Sequence, residues 1–471
     1  MKIQLELGVI NIKTNKLLLS YIILITILKI INLNSIITSI LLILLLIFIE
    51  NKEKSLVKIL IMLIFAPNYI VIQFMVLYVF IKFLLSKNKI KKDINFRFYI
   101  LFIILSSVSY LFSIINDFSF TPLIIYAITV WCLYYMYFIL KSEKEDYIRV
   151  FYELCKLQVI PVSIQIIFLL VKKVFYPDLI TGTFDNANTL VIVLMIYLIL
   201  ILKSRYLSFK NKLVNLIIYG SIILLADAKL ILIIFILVLI ITNVFTTTNK
   251  NIFLKLSIFC LFLGIIIIIM LSPFSLYKYS IDKYNIDKYI TNNNMNLKFK
   301  AYKYTFCDLN LFNDLIGVGS GRYGSKAANI LAYDTMYKTK EKLEVSKILK
   351  ARTNQYYNRI SSLFTKSFFN NIKNYSGILS YPQSSIVTIK GEIGYLGIML
   401  FIFFILYNIK NLYKNILRKD NYKESYCSIV FILVIFLISF FDNFLEMNNI
   451  ILSFMFILSS SYNYNTRKRL S

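Results

Sequence analysis

Apolar runs of roughly 15–20 residues, the length that crosses a bilayer as a helix, alternate along this chain with short polar breaks. A run such as LLILLLIFI at 41–49 has no period-2 alternation, so it reads as helix and not as a strand of a membrane barrel. The pattern predicts spans near 17–32, 35–49, 55–66, 69–85, 98–115, 121–140, 153–171, 186–202, 213–226, 229–244, 253–273, 385–408, 427–440 and 447–462. Some are short, notably 55–66, where Pro67 could instead mark a bend, so the range is twelve to fourteen. The fold class is therefore all-α, a polytopic membrane protein. One polar stretch, 274–383, interrupts the pattern and has a helix-forming composition over 339–372. The chain divides into helices at 1–180, a central group at 181–273, the large loop at 274–383, and further helices with a tail at 384–471.

Composition sharpens this picture. The 471 residues are 59% hydrophobic with a mean hydropathy of +0.73, whereas soluble chains run about 45–50% apolar. The net charge of +28 would suggest nucleic acid on a soluble chain. Here it follows the loops. With the N-terminus inside, segments on the inner side hold 28 Lys and Arg, and the short outer loops hold only Lys172, Lys173 and Lys229. The positive-inside bias then puts both termini in the cytoplasm and 274–383 outside the membrane. That loop carries 17 basic against 7 acidic residues. A solvated or headgroup-facing surface explains many of them, and an anionic substrate outside the membrane is the functional reading. The first apolar run lacks a small-residue cleavage site and reads as a retained anchor.

Histidine is absent and no C-x-x-C occurs, which excludes the usual zinc and haem signatures and a histidine base. Of the five cysteines only Cys307 lies in the large loop, so no disulfide closes within it. No cofactor and no metal is expected.

Four stretches could carry chemistry. In TGTFDNANTLVIVL (181–194), Asp185, Asn186 and Asn188 cluster at the mouth of a helix after Gly182, and on spacing alone an ordinary N-cap accounts for them better than a binding site. In LLADAKLILII (224–234), Asp227 and Lys229 lie between two apolar runs, as an ion pair or as groups facing substrate. In GVGSGRYG (317–324), Gly317, Gly319 and Gly321 lead into Arg322; such a turn can present N–H groups to an anion, and Arg can grip a phosphate with two donors. No buried strand precedes it, which weakens a nucleotide-binding reading. In YPQSSIVTIKGEIGYLG (381–397), Gln383 and Ser384 lie at the outer end of an apolar helix that embeds Lys390 and Glu392, and Gly391, Gly394 and Gly397 permit close packing.

In this order the four stretches resemble the O-antigen polymerase and O-antigen ligase family of bacterial envelope glycan assembly. The resemblance covers roughly 180–410. It rests on GVGSGRY, EIGYLG, DAKLILII and GTFDNAN, with Lys229 where the family usually has Arg. It implies a metal-independent glycosyltransferase that polymerises undecaprenyl diphosphate-linked oligosaccharides for O-antigen or capsule. The implied partners are that glycolipid, membrane lipids, a chain-length regulator and a flippase, with no nucleic acid. Lys229, Arg322 and Glu392 are implied as catalytic. Lys172, Lys173, Asp185, Asn186, Asn188, Asp227, Gly317, Gly319, Gly321, Gln383, Ser384 and Lys390 are implied as substrate-binding. Ligases commonly carry a His where Gln383 stands, which favours the polymerase and leaves the base open among Glu392, Asp185 and Asp227. A glycan ligase and a lipid-linked oligosaccharide flippase are the alternatives; no internal repeat of the kind flippases carry is visible.

The charge asymmetry makes a topology prediction. In a variant cleared of native cysteines, a cysteine at 340 should react with an impermeant reagent in intact cells and one at 414 should not. The reverse labelling would invert the orientation.

Overall fold

The structure, a computed structural model, describes residues 16–31, 34–86, 93–113, 120–142, 147–172, 179–204, 207–246, 297–331, 363, 383–418 and 420–462. The span expected at 253–273, Lys173 and much of the 274–383 loop lie outside the described residues. Among the described residues every regular element is helical. The first half contains α1 (Lys16–Ile31), α2 (Ser35–Glu53), α3 (Leu56–Ile64), α4 (Tyr69–Leu85), α5 (Ile94–Ser113) and α6 (Thr121–Ser142), the last with a π turn at Ala127–Trp131. Next come α7 (Ile148–Leu157), α8 (Val159–Lys172), α9 (Ala187–Leu202), α10 (Phe209–Leu225) and α11 (Lys229–Thr246). The loop contributes α12 (Leu297–Phe306), α13 (Leu311–Ile316) and α14 (Lys326–Leu331), followed by α15 (Ser385–Leu417), α16 (Tyr422–Ile438) and α17 (Asn448–Tyr462).

Five helical stretches are long and apolar enough to cross a membrane: Ser35–Glu53, Ile94–Ser113, Thr121–Ser142, Ile148–Lys172 and Ser385–Leu417. Shorter apolar helices are packed among them. Helices α3, α9 and α17 are buried on nearly every side, and α9, apolar over almost its whole length, has no polar face to turn outward. Helix α17 packs against α3, α4, α6, α9 and α16. The outer helices leave large side chains exposed, including Leu44, Phe48, Phe168, Val171, Ile217, Phe403 and Leu406. Water would not tolerate so much exposed apolar surface, whereas lipid does.

The short span at 55–66 now has a physical account. Helix α3 has nine residues, all buried, and at 1.5 Å per residue it reaches about 14 Å, half a bilayer core. It ends at Phe65, and Asn68 caps the next helix through its side chain, so the Pro67 region is a break between helices. Several interior polar groups are paired with one another. The Glu50 carboxylate meets Lys82 Nζ at 2.5 Å and Tyr78 Oη at 3.1 Å. Asn408 bridges Asn95 at 3.2 Å and Tyr462 at 2.9 Å.

Helix α15 is broken. Gly394 has φ 74° and ψ −165°, outside helical space. The nine residues before it are almost wholly buried, and the helix after it carries the exposed apolar face. A break inside apolar surroundings frees carbonyls that must find donors. They do: the Gly391 carbonyl accepts from Val318 N at 2.8 Å, and the Glu392 carbonyl accepts from Gly319 N at 3.3 Å and from Ser109 Oγ. The loop segment 317–319 thus completes the helix that 391–394 interrupts.

Two features make Gly394 specific to glycine: its positive φ, and the Leu315 carbonyl, which a Cβ would overlap. Gly394→Ala should cost about 1–3 kcal/mol or more and lower the melting temperature in detergent. Gly220→Ala is the control, because nothing lies within 4 Å of that position and its backbone is helical. Equal melting temperatures for the two variants would remove the strained break.

Candidate functional site

The glycine-rich turn does cradle an anion, and the anion belongs to the protein. Glu392, fully buried on α15, accepts from Gly321 N on Oε2 at 3.0 Å. Its Oε1 accepts from Tyr323 N at 3.2 Å, Gly324 N at 3.2 Å and Ser325 N at 3.0 Å. The turn can wrap this way because Gly317, Gly319 and Gly321 have φ of 93°, 108° and 75°. A Cβ at Gly317 would overlap the Glu392 backbone. The N–H of Gly317 goes to Asn313 O, that of Gly319 to Glu392 O and that of Gly321 to the Glu392 carboxylate. These three donors, expected to serve a substrate phosphate, are therefore engaged within the fold. Glu392, expected as a base, has a carboxylate enclosed by four backbone donors, which suits an anchor.

Arg322 points the other way from the same turn. Its guanidinium donates to Ser113 O at 3.1 Å and lies 4.9 Å from the centre of the Tyr110 ring, both on α5. Lys390 is fully buried; its Nζ pairs with Asp314 Oδ1 at 2.5 Å, bonds the Asp314 carbonyl at 3.2 Å and sits 4.0 Å over the Tyr395 ring. The puzzle of an embedded lysine is thus answered by a loop carboxylate that reaches in to meet it. Gly391 accommodates the Tyr323 ring, which a Cβ there would overlap.

At the start of α15, Gln383 and Asn329 form a reciprocal amide pair at 2.9 and 3.0 Å. Ser384 caps the helix by accepting from Val387 N at 3.2 Å and also meets Tyr302 Oη at 3.0 Å. Ser385 N donates to Asp442 O at 3.1 Å, and Leu445 N donates to Ser385 Oγ at 3.1 Å. This brings in the turn 439–447 between α16 and α17, which holds a group that sequence reasoning missed. Glu446, buried, accepts from Lys326 N and is hydrogen-bonded by Asn443. Burial, aided by the Glu392 charge, pushes its carboxyl up to about 8 against the pull of Lys326. Burial brings the Lys326 ammonium down to about 8, opposed by Glu446, and Lys326 Nζ lies 4.2 Å from the centre of the Tyr69 ring. On the same turn, Lys298 Nζ donates to Phe441 O; burial lowers Lys298 to about 8 and raises Asp442. The only signal in sequence was a polar interruption, DNFLEMNN at 442–449, between two apolar runs.

A cavity opens beneath this assembly, with ≈ 940 Å³ of empty space that is in part open to the surroundings. Its body is aromatic and apolar, with Phe98, Phe102, Tyr126, Tyr134, Phe401 and Phe404 on its walls. Ser385, Thr388, Asn443 and Glu446 also line it. Among the described residues no group of three or more His, Cys, Asp or Glu side chains is gathered as metal ligands would be.

The remaining candidates lie elsewhere on the bundle. Asn186 caps α9 by accepting from Asn188 N at 2.8 Å, Asn188 is buried in the first turn, and Asp185 is exposed beside them. The turn before them is held by side chains the sequence did not suggest. Lys29 Nζ donates to Thr181 Oγ1 at 3.0 Å, to Gly182 O at 3.1 Å and to Phe184 O; Gln165 accepts from Thr181 N and Gly182 N; Gln158 accepts from Thr183 N. Lys172 lies over the Phe168 ring at the end of α8. Lys229 Nζ is 3.5 Å from Asp227 Oδ1 at the start of α11, and Asp227 has φ 57°. Helix α11 packs mainly on α16 and α9, whereas Arg322 is held on α5.

The cradle makes a prediction. Glu392→Ala leaves four N–H groups without their acceptor, and at about 1–3 kcal/mol for each buried unmet donor the outer assembly should loosen. Glu392→Gln keeps an oxygen for three of the four and should be milder. Thermal unfolding in detergent should rank wild type above Gln above Ala. Unchanged melting temperatures together with lost activity would make Glu392 a chemical group and not an anchor.

Comparison of the chain with protein-family models and with curated proteins finds no match in either.

Proposed function

We propose that this protein is a polysaccharide polymerase that joins undecaprenyl diphosphate-linked oligosaccharide repeats at the outer face of the cytoplasmic membrane, for O-antigen or capsule. The observation that carries the reading is the cavity, an aromatic and apolar body that also bears Ser385, Thr388, Asn443 and Glu446. That shape suits an amphiphile with a hydrocarbon body and a polar head. The order of the four sequence stretches supports the same class of substrate. In this reading the chain crosses the membrane twelve to fourteen times with both termini in the cytoplasm, and 274–383 faces outward.

Transfer breaks the bond between a sugar C1 and the lipid diphosphate. The leaving group gathers negative charge, which fixed cations stabilise without any need for a metal. Lys229 and Arg322 are the cations the reading assigns to it, although neither lines the cavity: Arg322 is held on α5, and Lys229 begins α11, which packs mainly on α16 and α9. Lys229 is a quarter exposed beside Asp227. Arg322 is 3% exposed, so a diphosphate would share it with Ser113 and Tyr110. Gln383, in its amide pair with Asn329, takes up no proton, which favours polymerase over ligase.

A cation that acts on the leaving group acts mostly in the transition state, so its loss should lower turnover more than binding. Lys229→Ala and Arg322→Ala should each cost roughly 10²–10³ in rate. In a deletion strain each should leave single repeats and no long chains, with the protein present by blot. Lys229→Arg should retain activity, and Arg322→Lys should lose more, because an ammonium cannot make the forked contact. Wild-type ladders from both alanine variants would take these residues out of the site. A deletion strain with unaltered surface glycan would end the polymerase reading.

A further inference from the structure

We propose that Glu446 is a catalytic residue of this site, the general base that takes the proton from the acceptor sugar hydroxyl. The inference rests on the glycosyl-transfer reading and supplies the base which that reading lacks. Three observations lead to it. First, Glu446 lines the cavity beside Asn443, Ser385 and Thr388, so a hydroxyl placed there meets its carboxyl. Second, the other carboxylates nearby are less suited: Glu392 already accepts four backbone donors, and Asp442 is not among the residues that line the cavity. Third, Glu446 is placed and not merely buried. Lys326 N and Asn443 hold it, Leu445 N is tied to Ser385 Oγ, and the Leu445 carbonyl accepts from Tyr134 Oη at 3.0 Å.

The step balances. The hydroxyl oxygen of the acceptor forms the bond to the donor C1 as its proton passes to the Glu446 carboxylate. The bond from C1 to the diphosphate oxygen breaks, and the electron pair leaves with the lipid diphosphate. The proton then returns from Glu446 to solvent, which restores the base. A base whose pKa lies near the working pH is the efficient kind, and burial brings Glu446 to about 8. The charged and titratable groups that face it are Lys326 on α14, Glu392 on α15, Tyr69 on α4, and Tyr126 and Tyr134 on α6. Lys326 favours the ionised carboxylate and Glu392 opposes it.

Because the base must be ionised, the rate should rise with pH through the Glu446 pKa. Lys326, which titrates in the same range, limits the profile on its alkaline side. The experiment uses the purified full chain in liposomes with lipid-linked single repeats extracted from the deletion strain. Initial rates of chain extension are measured from pH 5.5 to 9.5, roughly three units of which span the pKa of a perturbed carboxyl. Glu446→Gln should lower the rate about 10²–10⁴-fold and lose the acid-side limb. Its amide oxygen still accepts from Lys326 N, so its melting temperature should stay near wild type. Glu446→Asp should retain activity within about tenfold with a displaced limb, and it keeps the test open if the Gln variant folds poorly. A Gln variant that keeps the wild-type limb overturns the assignment and leaves the polymerase reading standing. An Asp variant that loses as much rate as Gln, with melting falling in parallel, makes Glu446 structural and also overturns it. Extracted repeats that wild-type protein does not extend would remove the transfer reading, and this inference with it.

Discussion

The structure depends on one turn of backbone held between two carboxylates. The N–H groups of Gly321, Tyr323, Gly324 and Ser325 close on Glu392, and the next N–H along the chain, that of Lys326, reaches Glu446. The first carboxylate sits on α15 and the second on the turn before α17. A loop whose own sequence is polar is thereby fixed to α15 and to the turn before α17 by backbone hydrogen bonds to two carboxyl groups. Free backbone N–H groups would be costly in such surroundings, and so would a free carboxylate. Each cancels the other's penalty, and the bonds specify one register of loop on helix.

The same logic accounts for the break in α15. A continuous helix would satisfy its own carbonyls and would have no use for residues 317–319. With Gly394 outside helical space, Gly391 and Glu392 present carbonyls that Val318, Gly319 and Ser109 meet. The buried first part of α15 is then part of the loop assembly more than of the membrane-facing wall. Lys390 follows from this placement. On an unbroken, lipid-facing helix a lysine there would be untenable. In the fold it is enclosed and paired with Asp314, which α13 brings to it.

Much of the scaffold was legible in sequence, because hydropathy runs report directly on helices that must satisfy their backbone internally. Helix α4 occupies the expected 69–85, and α17 lies within one residue of the expected 447–462. What hydropathy cannot report is depth. Helices α3 and α5 both read as apolar runs, yet one is a short buried piece and the other exposes a long face. The glycine spacing in GVGSGRYG reads as a turn that offers N–H groups to an anion, and in the structure the Gly321 N–H meets the Glu392 carboxylate. The identity of the anion was not readable, since Glu392 lies about seventy residues away and only folding brings it in. Asn186 shows the converse, where a local rule suffices: it is a helix cap, one of the two readings its type and position allow, and Ser384, expected to bind substrate, is a cap as well. Glu446 carried no local signal beyond a polar interruption, and its significance comes from neighbours on α14, α15 and its own turn.

Two buried carboxylates a turn apart invite the question of which one can do chemistry, and the count of donors answers it. A carboxylate whose oxygens are already taken by several backbone N–H bonds has few directions left from which to meet a substrate hydroxyl. Glu392 accepts four such bonds, and their geometry closes around it. Glu446 accepts one backbone bond and a contact from Asn443, and it is among the residues that line the cavity. Environments that differ in this way separate two chemically identical groups into different roles. The arrangement also couples them. The residue that donates to Glu446 directly follows the last one that donates to Glu392, so the position of the second carboxylate's donor is set by the grip of the first. In the reading proposed for Glu446, such support matters because the residue sits on the turn between α16 and α17 and not within either helix. The anchoring of Glu392 therefore belongs to the chemistry proposed for Glu446 as much as to the fold.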